Sequence, residues 1–221
     1  MSSAPSPAGS EPPARETPYL GWVVAFIFVA TLISFAWSGL KGARPVRVPN
    51  HLQPVSDVPD FRLLDQSGKP FGLSDLKGKI WIGNFVFTRG SGPVPMISAR
   101  MAELNQKIGS AGEGVELVTF SVDPEFDTSD VLSAYAARLG AGPGRWKFLT
   151  GSKEEVDAIV IKGLLQPLEK KEPNGTLAQS TKFVIVDGKG RLRGFADGND
   201  PEVVQKLLMD IGDLLRESGK Q

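Results

Sequence analysis

The stretch IWIGNFVF, residues 80–87, decides the fold. It is an unbroken apolar run, with Lys-Gly-Lys before it and a Gly-Pro loop after it, as expected of a strand buried on both faces. From Pro95 to Ile108, Met101, Leu104 and Ile108 recur at helical spacing, and Pro95 suits a first helical turn. A buried strand therefore runs through a loop into a helix.

Working outward, the same alternation repeats. VELVTFSV (115–122) predicts a second apolar strand, followed by Asp-Pro and a helix from about Thr128 to Leu139. WKFL (146–149) predicts a short third strand, and Ser152 with Glu155 forms a capping box for a helix over 153–162. TKFVIVD and RLRGFA, joined at Asp187-Gly188-Lys189-Gly190, read as a hairpin. Asp200 and Pro201 then open a last helix with Val203, Val204, Leu207, Leu208, Ile211, Leu214 and Leu215 on one face. FRLLD (61–65) and PFGL (70–73) read as a leading pair of short strands. Alternating βα units closed by an antiparallel hairpin and a helix give an α/β sandwich of thioredoxin-like type with a central mixed sheet.

Ahead of this unit the composition changes. Residues 1–18 are rich in Ser, Pro, Ala and Gly without apolar periodicity, and are expected to be a disordered tail. Residues 19–40, YLGWVVAFIFVATLISFAWSGL, carry no charge and place Tyr19, Trp22 and Trp37 near the ends, as a transmembrane helix does. A cleaved signal peptide is the competing reading, but it calls for a basic start and a shorter apolar run. Residues 41–57, with their prolines, read as a linker, and 58–218 as the folded domain. Lys41, Arg44 and Arg47 would by the positive-inside rule keep that domain cytoplasmic. Long translocated domains override the bias, so charge alone leaves the orientation open.

Composition excludes whole classes of chemistry. Twenty-five Lys and Arg balance twenty-five Asp and Glu, so charge gives no reason to expect nucleic acid as a partner. There is no cysteine, which removes disulfides, thiolate nucleophiles and dithiolate metal sites. The single histidine, His51, cannot build a His cluster, and no Ser-His-Asp triad or HExxH helix is present. No catalytic residue and no cofactor are assigned.

In this fold type, ligands gather where the first central strand meets a helix N-terminus. That junction reads Phe87-Thr88-Arg89-Gly90-Ser91-Gly92-Pro93-Val94-Pro95-Met96. The stretch FVFTRGSGPVPMISARMAEL resembles the SCO/SenC family of copper-binding proteins that assist cytochrome oxidase assembly, whose usual form there is Phe-Thr-x-Cys-x-x-x-Cys-Pro-x-Met. The blocks DFRLLDQSGKPFGLSDLKGKIWIGNF, SVDPEFDTSDVLSAYAARLGAGPGRWKFLTG and QSTKFVIVDGKGRLRGF resemble the same family in the same order.

The resemblance implies that Gly90 and Val94 stand where the family has its two cysteines, and Gln179 where it has a metal-binding histidine before Ser180. Copper binding in the family's manner therefore does not carry over, and with no thiolate neither does a thiol-disulfide role. It further implies a single-pass protein of a bacterial-type inner membrane with its domain on the periplasmic side. The expected partners are the membrane through residues 19–40, and oxidase subunits or a copper-binding paralogue. Two other readings stay open: a scaffold module unrelated to oxidase assembly, and a peroxiredoxin-like enzyme, against which the missing cysteines argue.

Lesser constellations along the chain carry alternative readings. A rebuilt copper site from His51, Met96 and Met101 competes with packing roles for the methionines. Asp123, Glu125, Asp127 and Asp130 suggest a hard-cation site, or a turn with a helix cap at Asp127 or Thr128. Gly90-Ser91-Gly92-Pro93 beside Arg89 suggests a small anion site, or a compact turn. Glu169, Lys170, Lys171 and Glu172 read as a solvated loop tip.

Overall fold

The computed structural model describes residues 22–23, 27–31, 52–109, 112–142, 144–167 and 180–219. The chain divides into two units, Met1–Pro45 and Val46–Gln221. In the first, residues 22–23 and 27–31 are helical and exposed, and the Thr31 hydroxyl donates to the Ile27 and Phe28 carbonyls at 2.9 and 2.8 Å. Among the described residues no helix is long and apolar enough to cross a membrane. Most of the expected span at 19–40, the tail at 1–18 and most of the linker lie outside the described residues.

The second unit is the expected α/β sandwich. Its strands are β1 (Ser56–Asp57), β2 (Arg62–Leu64), β3 (Pro70–Gly72), β4 (Ile80–Val86), β5 (Val115–Ser121), β6 (Trp146–Leu149), β7 (Lys182–Val186) and β8 (Arg191–Asp197). Its helices are α1 (Val94–Ile108), α2 (Ser129–Arg138), α3 (Lys153–Asp157) and α4 (Val203–Glu217). The main sheet runs β1-β8-β7-β4-β5-β6, with β2 and β3 in a separate hairpin. Strands β4, β5 and β6 are mutually parallel, whereas β7 lies antiparallel to both β4 and β8.

β4 is buried at every position, as its apolar run demands. Gly83 is needed at its centre, because a Cβ there would lie 2.6 Å from Val184 Cγ2 and 3.1 Å from the Trp81 ring. Phe85 stacks on Phe120 of β5 at 5.9 Å, and Phe61 meets the same ring edge-on at 5.9 Å. The helical spacing read in α1 holds: Ile97, Met101, Leu104 and Ile108 are buried, and Ser98 shares a 2.6 Å hydrogen bond with the Tyr135 hydroxyl of α2.

The edge strand β6 is closed by side-chain mimicry. The Gln66 amide donates to the Trp146 carbonyl at 3.2 Å, and its oxygen accepts from the Phe148 N–H at 3.0 Å. A neighbouring bridge pairs Leu64 with Thr150, so little of this edge is left to template another strand.

Two boundaries differ from the sequence reading. The domain begins by Leu52, not Val58: Leu52 is fully buried, its carbonyl accepts from Arg193 Nε at 2.6 Å, and β1 pairs with β8. A two-residue strand shows no periodicity, so the sequence there reads as linker. The helix expected over 153–162 is α-helical only to Asp157 and continues as a wider π turn, Ala158–Gly163, although its capping box at Ser152 and Glu155 is present.

Candidate functional site

The junction between β4 and α1 lies where the sequence puts it. Phe87 closes the strand and is buried, and the Gly90 N–H donates to the Phe87 carbonyl at 2.8 Å, folding residues 87–90 into a turn. Gly92 follows with φ +67° and nothing within 4 Å of where a Cβ would stand. Only glycine takes that backbone conformation without strain. Pro93 precedes the helix, and Val94, its first residue, is only 2% exposed.

Gly90 and Val94 are brought into contact by this turn. A Cβ on Gly90 would lie 3.0 Å from Val94 Cβ and 2.4 Å from Val94 Cγ2. The positions that the resemblance pairs are thus adjacent in space, but the volume beside Gly90 holds a valine methyl. Neither residue carries a side-chain donor atom. Met101 is fully buried in the core, whereas Met96, in the first turn of α1, is 36% exposed. His51 and Gln179, and the Glu169 to Glu172 run, lie outside the described residues. Ser180 and Thr181, which follow Gln179, are described, and the Thr181 carbonyl accepts from the Gly198 N–H at 2.9 Å. A Cβ on Gly198 would meet Ile97 Cδ1 at 2.2 Å, so the start of β7 and the first turns of α1 share this end of the molecule.

The loop before α2 holds the turn in place. Asp127 is fully buried, and its carboxylate accepts from the Thr88 N–H at 3.3 and 3.1 Å, from the Thr88 hydroxyl and from the Ser121 hydroxyl at 2.6 Å. Arg89 binds Asp123 at 2.6 Å and lies 4.3 Å from the centre of the Phe126 ring. With Arg89 57% exposed, that pair contributes on the order of 0 to 1 kcal/mol, so the buried carboxylate is the stronger tie.

In the acidic segment the helix cap is present. Thr128 caps α2, its hydroxyl accepting from the Val131 N–H at 3.4 Å, while Asp127 turns inward to the loop. Glu125 and Asp130 are exposed, and among the described residues no group of three or more His, Cys, Asp or Glu is placed to hold a metal ion. Asp127 was missed as a loop anchor because Asp-Thr-Ser before a helix carries an ordinary capping signature.

Comparison with known proteins agrees with this architecture. The SCO1/SenC family model matches residues 50–215. A SCO1 protein homolog of Bacillus subtilis (strain 168) is 28% identical over 156 residues, 70% of this chain and 81% of the relative. A SCO1/SenC family lipoprotein from Bacillus anthracis str. Ames superposes with a TM-score of 0.67 at 31% identity, covering 73% of this chain and 97% of that one. BsSco, a member of the Sco family of cytochrome c oxidase assembly proteins in which a disulfide switch was identified, gives a TM-score of 0.65 at 29% identity over 76% and 98%. A family match that takes in β1 to α4, including the β4–α1 turn, together with a fold shared along nearly the whole of each solved relative, places this chain in the SCO1/SenC family.

Proposed function

We propose that this chain is a non-enzymatic, membrane-anchored accessory of respiratory oxidase assembly that works without carrying copper. The observation that carries this reading is the Gly90–Val94 contact: the family scaffold is intact around two positions that carry no side-chain donor atom, with no free volume beside Gly90. The residues present do not fit the metal. Copper held as the family resemblance implies needs two thiolates and an imidazole, and the chain contains no cysteine.

Retention of the fold without its ligand set supports a role through the protein's surface, by binding oxidase subunits or a copper-bearing paralogue. The uncharged stretch 19–40, helical at its described residues 22–23 and 27–31, supports the anchor. Domain placement on the periplasmic side of an inner membrane follows from the same family reading.

The test is affinity capture of the full chain from detergent-solubilised membranes, with and without a copper chelator. Oxidase subunits should co-purify equally in both, and the chain should stay in the membrane pellet through alkaline extraction. Capture without oxidase subunits would favour the scaffold reading, and capture lost on chelation would contradict a copper-independent role.

A further inference from the structure

We infer that Gly90 and Val94 form a mutually dependent pair, in which the branched side chain at 94 fills the volume that a side chain at 90 would need and keeps the turn closed against a ligand there. This rests on the copper-free reading and states how that condition is built into the packing.

Three distances carry it. A Cβ at position 90 meets Val94 Cγ2 at 2.4 Å, the Phe87 carbonyl oxygen at 2.9 Å and Val94 Cβ at 3.0 Å. The first contact is an outright overlap and involves a side chain that is only 2% exposed, so Val94 has little room to rotate aside. The second involves the backbone oxygen that accepts the Gly90 N–H at 2.8 Å, so a side chain there also presses on the turn itself. Removing the Val94 methyls relieves the worst overlap, whereas the 2.9 Å approach to the Phe87 backbone oxygen remains, so the relief is partial. Gly90 needs no positive φ, unlike Gly92, so its requirement for glycine is one of space.

Any donor introduced at 90 alone must force its way against Val94. A change at 94 has to come first or together with it, so a ligand at this position is two substitutions away in packing terms, whatever else the site needs. Unlike drift at an exposed loop, this makes the two positions energetically coupled.

A double-substitution cycle on the full chain, read by thermal unfolding, tests the pair. Gly90→Ala should lower Tm by roughly 3 to 8 °C. Val94→Ala should lower it in the parent, yet cost clearly less, or raise Tm, in the Gly90→Ala background. Gly92→Ala is the control, since its strain is in the backbone and Val94→Ala should not relieve it. If Gly90→Ala fails to fold, recovery of a folded chain on adding Val94→Ala is the same rescue. Additive losses, or a Gly90→Ala protein as stable as the parent, would overturn the inference. Cu(I) titration of the parent separates the underlying reading: stoichiometric binding would overturn the copper-free reading even if the cycle showed coupling.

Discussion

Replacing Arg193 with methionine is expected to cost about 3 to 5 kcal/mol of stability, the usual loss when one partner of a buried ion pair is removed. Arg193 is 2% exposed, and its guanidinium joins three separate parts of the domain. It donates to the Leu52 carbonyl at 2.6 Å, to Asp187 at 2.7 Å and to Glu217 at 2.6 Å. Methionine keeps the apolar stem but leaves the Leu52 carbonyl without this donor and Asp187 with Arg191 as its remaining side-chain partner. Glu217, at 31% exposure, accounts for the smaller share. The start of the domain, the β7–β8 hairpin and the end of α4 should loosen together.

The pH dependence follows from Asp187. Burial by itself would raise its pKa, but hydrogen bonds from Arg191, Arg193 and the backbone amides of Arg191 and Lys189 outweigh burial and hold it below the ordinary carboxylate value. A carboxyl whose folded pKa lies below its unfolded one stabilises fully above the unfolded value, near 4, and loses that stabilisation as pH falls through the folded value. The parent should therefore lose stability on acidification below about pH 4, and Arg193→Met should show a shallower acid limb over the same range. Urea unfolding at several pH values measures both; a loss under about 1 kcal/mol at neutral pH would show that the network holds little.

The second large effect is expected at Asp127. Asp127→Ala leaves the Thr88 N–H and the Ser121 hydroxyl without their acceptor inside a closed site, at a cost of about 2 to 4 kcal/mol. For a chain of this size that is a fall in Tm of roughly 4 to 16 °C. Because Asp127 ties Thr88 to the loop before α2, the damage should be local as well as global. Hydrogen exchange at the Thr88 amide should rise more than exchange in the β4 interior. A destabilised protein with Thr88 protection unchanged would mean that Asp127 acts only as a core residue and does not hold the turn.

These two residues also show where the sequence stopped being readable. The apolar run at 80–87 and the helical spacing of Met101, Leu104 and Ile108 identify β4 and α1 because both patterns are set by burial, and burial is what they met. The β7–β8 hairpin was equally plain: the Asp187 carboxylate accepts from the Lys189 and Arg191 amides at 2.9 and 3.0 Å, a local turn chemistry visible in Asp-Gly-Lys-Gly. Arg193 was legible only as a strand position, because its partners at Leu52 and Glu217 are distant in sequence and nothing local marks a buried arginine. Asp127 failed for the opposite reason, since its local signature pointed to a cap that Thr128 supplies instead.

At the turn only the residue types were legible: the side chains of Gly90 and Val94 carry no donor atom. That Val94 occupies the space beside Gly90 was not legible, since two residues four apart across a Gly-Pro loop can lie together or apart. In the structure a Cβ at position 90 would lie 2.4 Å from Val94 Cγ2, a contact set by packing rather than by residue type.

The most direct test of the central claim is a titration of the full-length chain in detergent with Cu(I) against a competing chelator, followed by metal analysis of the recovered protein. A chain that works without copper should leave the metal with the chelator and return metal-free. Stoichiometric retention of Cu(I) against the chelator would contradict the account.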